Sequence, residues 1–169
     1  VITVCQHIRM LKHKELFINA GITDVFWSHS SKDTKSFGVN EKVKIRPFPL
    51  YPTQIRPQKE NNINKPFLYS FVGAKANQWY LTESRNHILK HLSNKEGVLV
   101  KGRDTWHYND VVYKQQVHGV KISDDNIKDK SNKTEEYLDI LEQSKYSLCP
   151  SGSGPNSIRL WESIEMGIV

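Results

Sequence analysis

The order of patterns along the chain predicts an α/β fold. Apolar runs of strand length alternate with stretches of helical spacing, and glycines stand at several of the joins. One run, Phe67 to Val72, is continuously apolar, as expected of a strand buried on both faces.

Val1 to Cys5 reads as a short strand, and Ile8 to Asn19 as a helix with Leu11 and Ile18 at helical spacing, stopped at Gly21. Asp24 to Ser28 is apolar enough for a second strand. Lys42 to Arg46 alternates, with Val43 and Ile45 on one face, and predicts a third. Pro47, Pro49 and Pro52 then end regular structure, and the polar stretch 53–65 reads as a linker between two domains, 1–52 and 66–169. The second domain opens with the strand Phe67 to Val72, ended by Gly73. Thr82 is placed to cap a helix from Glu83 to Leu92, which turns Ile88, Leu89 and Leu92 inward and carries Arg85 in its first turn. Gly97 to Lys101 is the next strand. Asp104 to Lys130, which holds Trp106, His107, Tyr108, Tyr113 and His118, reads as a long irregular segment, either a functional loop or unstructured chain. Thr134 to Gln143 returns to helix and Tyr146 to Cys149 to strand.

The closing stretch, Ser147-Leu-Cys-Pro-Ser-Gly-Ser-Gly-Pro-Asn-Ser-Ile-Arg-Leu-Trp-Glu-Ser-Ile-Glu-Met-Gly-Ile-Val169, reads as strand, small-residue loop and helix. Gly152 and Gly154 let backbone approach a ligand, Pro155 limits where the helix can begin, and Asn156 or Ser157 can cap its first N–H groups. Arg159 and Glu162 share a face three residues apart, while Ile158, Trp161 and Ile164 or Met166 can face a core. A cation and a carboxylate at the mouth of such a helix suit a nucleotide, the arginine for phosphate and the glutamate for ribose hydroxyls. The plainer alternative is a glycine turn of the kind found throughout α/β proteins, with a solvated Arg–Glu pair beyond it.

Cys149-Pro-Ser-Gly-Ser-Gly-Pro-Asn-Ser-Ile-Arg-Leu-Trp-Glu-Ser-Ile-Glu-Met-Gly-Ile168 resembles the signature of the exostosin family, glycosyltransferase family 47: a Cys-Pro loop, a helix bearing Ser, Arg and Glu, then Gly and a buried strand. Tyr69-Ser-Phe-Val-Gly-Ala-Lys75 followed by Ser84-Arg-Asn86 resembles that family's first strand, glycine turn and Arg-bearing helix. The likeness covers roughly the last hundred residues. The first 65 are similar only through Thr23-Asp-Val-Phe26 and Pro47-Phe-Pro-Leu-Tyr-Pro52.

The resemblance implies a GT-B enzyme of two Rossmann-like lobes, inverting and metal-independent, with no cofactor besides its substrate. It would move a sugar from a nucleotide-diphosphate donor, a UDP-sugar, to a glycan acceptor in polysaccharide biosynthesis. Arg159 would then meet the diphosphate, Glu162 the ribose, and Ser157 with the amides of the Gly152–Gly154 loop the phosphates; Lys75 and Arg85 would complete the anion site. Ser151 stands where the family commonly has an arginine, which argues against an acidic donor sugar such as glucuronate. Family 47 membership would also imply a membrane anchor ahead of this segment and a Golgi lumenal site in a eukaryote, or a cytoplasmic or inner-membrane site in a bacterium.

At 169 residues the chain is short for two full lobes, at roughly 100–200 residues per domain. It begins on the apolar Val1-Ile-Thr-Val4, which reads as an interior strand, and ends at Gly167-Ile-Val169, which reads as the start of another. A piece of a larger enzyme, with both lobes incomplete and poor activity alone, is the expectation.

Other classes fare less well. Apolar residues are 37% and charged residues 25%, and no run approaches the ~18 apolar residues of a membrane span. The net charge of +6 raises nucleic-acid binding, but Lys42, Lys44 and Arg46 lie on one strand, Arg56, Lys59 and Lys65 in the linker, and the rest among Asp124, Asp125, Asp129, Glu135 and Glu136. That scatter makes no basic stripe with interleaved aromatics, so no nucleic-acid partner is expected. A non-catalytic nucleotide- or carbohydrate-binding module is the other alternative. Cys5 and Cys149 have no metal-ligand spacing, and Cys149 suits a small buried position. Asn132-Lys-Thr134 fits a glycosylation sequon of the kind that occurs often by chance. Among the histidines, His7 and His29 follow the first two strands, and His7 is the candidate base for an acceptor hydroxyl. His87 and His91 have a chelating i, i+4 spacing but no third ligand nearby, and read as a polar helix face.

Overall fold

The six runs read as full strands each contribute to one, and the strands divide between two sheets; the strand start read at Gly167-Ile-Val169 is not seen among the described residues, since Gly167 lies in a turn and Ile168 in no strand. The computed structural model of the protein describes residues 1–57, 64–106, 114–115 and 118–168, an α/β arrangement of parallel strands with helices packed on them. His107, Tyr108 and Tyr113 of the polar excursion, Lys59 of the linker, and Val169 lie outside the described residues.

The first sheet has the order β1-β2-β4-β3. β1 (Ile2–Cys5), β2 (Asp24–Trp27) and β4 (Val43–Pro47) are parallel, and the short β3 (Ser36–Phe37) runs antiparallel to β4. The alternation in β4 has its expected result: Val43 and Ile45 are buried, and Lys44 and Arg46 are exposed. They join Met10, Val25, Trp27 and Phe37 in a core of their own. Two expectations need correction here. The span read as one helix from Ile8 is a 3-10 turn at Met10–His13 followed by a short helix α1 (Lys14–Asn19), closed at Gly21, whose φ is +67°. β1 lies at the edge of the described sheet, not its interior, with Ile2 and Val4 more than half exposed.

The second sheet is fully parallel in the order β6-β5-β7. β5 (Phe67–Ala74) is its middle strand, so Ser70, Phe71 and Val72 are buried in succession. Gly73 does not end it: the strand runs on to Ala74, because β6 (Val98–Arg103) keeps pairing as far as Arg103. The helix α2 (Ser84–His91) connects these strands; Glu83, at its N-cap position, makes no side-chain capping bond, while Thr82 Oγ1 accepts the Ser84 N–H at a long 3.4 Å and shares hydroxyl bonds with Ser84 and Ser151. β7 (Ser144–Ser147) begins two residues earlier than its apolar pattern, since Ser144 is wholly buried, with Oγ 2.7 Å from Ser70 Oγ.

The largest departure is α3 (Asp124–Glu142), which starts ten residues before the predicted helix and inside the span read as irregular. Ser123 caps it by accepting the Asn126 N–H, and Asp124 and Asp125 favour its positive N-terminal end. Its first half has little to bury, which hid it from periodicity; its second half puts Tyr137, Leu138 and Leu141 against Val72, Met166 and Ile168 in the second core. The sequon lies on α3, with Asn132 exposed. Last comes α4 (Ile158–Glu165), followed by Gly167 at φ +66°.

The described start of the polar connection between the sheets is anchored at Arg56. Arg56 Nη1 reaches Asp139 at 2.8 Å and Glu142 at 3.3 Å, and Nη2 reaches Glu135 at 2.8 Å. Those carboxylates recur along one face of α3, and the half-buried stem of Arg56 seats the chain against it.

Candidate functional site

At the C-terminal end of β5, two arginines from different elements close over one glycine. Arg85, in the first turn of α2, donates from Nε to the Ser151 carbonyl at 3.1 Å and from Nη1 to the Ala74 carbonyl at 3.3 Å. Arg159, in the first turn of α4, donates to the Leu148 and Val72 carbonyls. A Cβ on Gly73 would stand 3.0 Å from Arg159 Nη2 and 3.3 Å from Arg85 Nη1, so this glycine makes room for both guanidinium groups. Both stack on the Phe71 ring, at 4.6 Å for Arg159 and 5.7 Å for Arg85; Arg85 also lies 4.7 Å from the Tyr80 ring centre and Arg159 5.5 Å from that of Tyr137.

Among the described residues neither arginine makes an ion pair. Their partners are carbonyl dipoles and aromatic faces, which orient a guanidinium without neutralising it. Burial is the main influence drawing the Arg85 pKa down; Tyr80 opposes it, and the charge of Arg159 adds to it. Arginine does not give up its proton in such a setting. The consequence is a place that favours an anion, at the strand edge where parallel sheets bind ligands.

The glycine-rich loop does something other than its composition implies. Neither Gly152 nor Gly154 has a positive φ. Gly152 accepts the Leu81 N–H at 2.9 Å, and a Cβ there would sit 3.6 Å from Arg85 Nη2, so it borders the arginine pair. Gly154 is buried, and a Cβ on it would fall 2.5 Å from His29 Nδ1; its smallness admits the first sheet's histidine rather than a phosphate. Asn156 likewise faces the first sheet. Its Nδ2 donates to the Ser28 carbonyl at 2.9 Å, and its Oδ1 accepts the Trp161 indole N–H at 2.9 Å. Ser157 occupies the N-cap position with extended backbone, but its side chain makes no capping bond. Of the apolar positions read as core-facing, Met166 at the C-cap of α4 is buried, Ile158 and Trp161 are half-buried, and Ile164 is 57% exposed.

Glu162 is 1% exposed and turned away from solvent. Oε1 accepts the Gln54 backbone N–H at 3.0 Å, with Gln54 Nε2 and Thr53 Oγ1 each at 3.4 Å, and Oε2 accepts the Tyr137 hydroxyl at 3.0 Å. Burial, partly offset by Arg159 and reinforced by Glu162, holds the Tyr137 phenol well above its ordinary pKa, so it stays a donor. In this arrangement the carboxylate binds the connecting segment to α3 and α4, and offers no oxygen to a ribose. Lys75, at the end of the same strand edge, is an exposed partner of Asp104 at 2.8 Å, and that exposed pair lowers the Asp104 pKa.

The geometry of His7 counts against a base. The ring is exposed, and its Nδ1 accepts the Arg9 N–H at 3.1 Å, which puts the proton of the neutral ring on Nε2 and leaves no free lone pair. His29 has the opposite pattern: Nε2 meets the Gln6 carbonyl at 3.2 Å, while Nδ1 is buried and unpartnered. Burial lowers the His29 pKa, the Gln6 contact opposes this, and nearby His7 adds a smaller downward push. His87 and His91 stack on the α2 surface with centroids 5.9 Å apart. No group of three or more metal-ligating side chains was found among the described residues. Cys5 and Cys149 are free thiols, each half-buried.

Across α4 from the arginines is a pocket of about 380 Å³ at the C-terminal ends of β2 and β4. Ser28, Ser30 and the Pro47–Pro49 turn form one wall, and Pro155, Asn156 and Trp161 form the other.

Sequence reasoning identified both arginines but missed Gly73 as their seat and Phe71, Tyr80 and Tyr137 as their platforms. One signal was present: Phe71 and Gly73 are two apart on a strand and so share a face. No helix among the described residues is long and apolar enough to cross a membrane. Comparison with protein-family models, with curated proteins and with solved structures found no match.

Proposed function

We propose that this chain belongs to a glycosyltransferase that moves a sugar from a nucleotide-diphosphate donor, a UDP-sugar, to a glycan acceptor with inversion, and that its two sheets are parts of the two lobes of a GT-B enzyme. The observation that carries the reading is the pair of guanidinium groups converging on Gly73 without a carboxylate partner. Two cations fixed by carbonyls and rings are suited to the diphosphate, whose negative charge grows as the sugar leaves. The exostosin-like spacing of Arg85, Arg159 and the Cys149-Pro150 loop supports the same assignment.

In this mechanism the acceptor hydroxyl attacks the anomeric carbon on the face opposite the leaving group. The bond to the diphosphate oxygen breaks, the hydroxyl proton passes to a base, and Arg85 and Arg159 hold the released nucleoside diphosphate. Gly152, with the adjoining loop amides, borders that site; Gly154, Asn156 and Glu162 support it by fixing α4 to the first sheet and to the connecting segment. Lys75 is a peripheral cation on the same edge.

Calorimetric titration with UDP and a panel of UDP-sugars tests the reading. Binding that falls at least about tenfold in Arg85→Ala or Arg159→Ala, as expected for loss of a charge-assisted bond worth about 1.5–3 kcal/mol, supports it. No nucleotide binding, or binding indifferent to both substitutions, overturns it. Binding without sugar transfer by the longest folded form of the enzyme would favour a non-catalytic nucleotide-binding module instead.

A further inference from the structure

The pocket behind α4 differs in chemistry from the arginine pair. None of the residues lining it is ionisable, although the chain carries a net charge of +6. Its lining is instead mostly apolar, made of the Trp161 indole, the Pro155 ring and the Pro47–Pro49 turn with Phe48, together with the uncharged polar groups of Ser28, Ser30 and Asn156. Ser28, buried, donates its Oγ–H to the Pro49 carbonyl at 3.2 Å, while the half-buried Ser30 donates its backbone N–H to the Trp27 carbonyl and has its hydroxyl left for a ligand.

The pocket is also built in advance. The Trp161 indole is fixed by Asn156, and Asn156 is fixed by the Ser28 carbonyl of the opposite wall. The Phe48 ring packs edge-on against Phe26, with centroids 6.1 Å apart. A ligand entering this space does not have to order its walls, and the volume is at the small end of the roughly 300–1,000 Å³ common for small-molecule sites. Aromatic and proline side chains interspersed with hydroxyl and amide groups, and no charge, match one ligand chemistry well: a pyranose, whose C–H face stacks on a ring while its hydroxyls bond to the polar groups.

We propose that this pocket binds an uncharged saccharide, the acceptor end of the transferase reaction, and that its uncharged walls select neutral over acidic sugars. The role as acceptor rests on the glycosyltransferase reading; the binding itself does not.

The Trp161 indole N–H provides the site-specific probe. In ¹⁵N-labelled protein its resonance is identified by its loss in Trp161→Phe, and methyl glucoside, methyl xyloside, methyl galactoside and glucuronate are titrated separately. The expected result is a saturable shift of that resonance with at least one neutral glycoside and none with glucuronate. Phe48→Ala, at a 37% exposed position whose removal leaves the first core intact, should weaken binding about fivefold, equivalent to ~1 kcal/mol for a stacking contact. No saturable shift with any neutral glycoside, an equal response to glucuronate, or unchanged affinity in Phe48→Ala overturns the inference. A nucleotide that binds through Arg159 while no sugar moves Trp161 would leave the transferase reading standing without this pocket; sugar binding without nucleotide binding would do the reverse.

Discussion

Truncating Glu162 separates its two candidate roles, support and ligand binding. The carboxylate accepts two bonds at 3.0 Å, from the Gln54 N–H and the Tyr137 hydroxyl, and two long ones at 3.4 Å. In Glu162→Ala the two close donors lose their acceptor inside the protein, at about 1–3 kcal/mol each, while the long contacts count for little. Relief of burying a charge offsets part of this, so the expected loss is about 2–4 kcal/mol. For a domain stable by roughly 5–15 kcal/mol that ranges from about an eighth to about four fifths of the total. Glu162→Gln keeps an oxygen for Gln54 and sets an amide against the tyrosine, and should cost about 1–2 kcal/mol. Urea unfolding followed by near-ultraviolet circular dichroism gives both values, and UDP titration of the folded Glu162→Gln protein should show affinity within about twofold of the parent, well under the tenfold of one lost charged contact. A Glu162→Gln protein of unchanged stability that loses UDP binding at least about tenfold would refute the reasoning, since the carboxylate would then be serving the nucleotide.

Gly154→Ala should destabilise the protein by about 1–3 kcal/mol, because the new methyl meets His29 Nδ1 at 2.5 Å; His29→Ala in the same chain should recover most of the loss, as read by thermal unfolding of the single and double variants. Stability should also fall as pH drops. The folded pKa of His29 is depressed, so the unfolded chain takes up its proton first as pH passes below about 6.5, and the stabilisation present above that value is lost toward the folded pKa. His29→Gln should flatten this part of a melting-temperature profile between about pH 7 and 5. A profile with the same slope in the variant would assign the pH dependence to other groups.

The sequence reveals its strands more readily than its contacts. Val43 and Ile45 declare a half-buried strand, and Phe67 to Val72 a strand covered on both faces, because burial leaves a direct imprint on apolar pattern. The start of α3 left only a capping serine and two aspartates, since a solvated helix has no apolar stripe to show. At the site, Arg85 and Arg159 could be named from local motifs. That they meet over Gly73 could not, since they approach through strand pairing and helix packing across more than seventy residues. For Gly154 and Glu162, residue type agreed equally well with two destinations. A glycine that admits a phosphate and one that admits a histidine look alike, as do a glutamate for ribose and a glutamate for a backbone amide.

Arg159 and Trp161 are two residues apart on α4, about 200° around a helix of 100° per residue, and so they point to opposite sides of it. With side chains a helix is about 10–12 Å across. α4 is therefore a gauge as well as a wall. A reacting pair of molecules with its charged end on Arg159 and its uncharged end beside Trp161 has to bridge that width over the first turn of the helix, and substrates too short to make the crossing would be measured out.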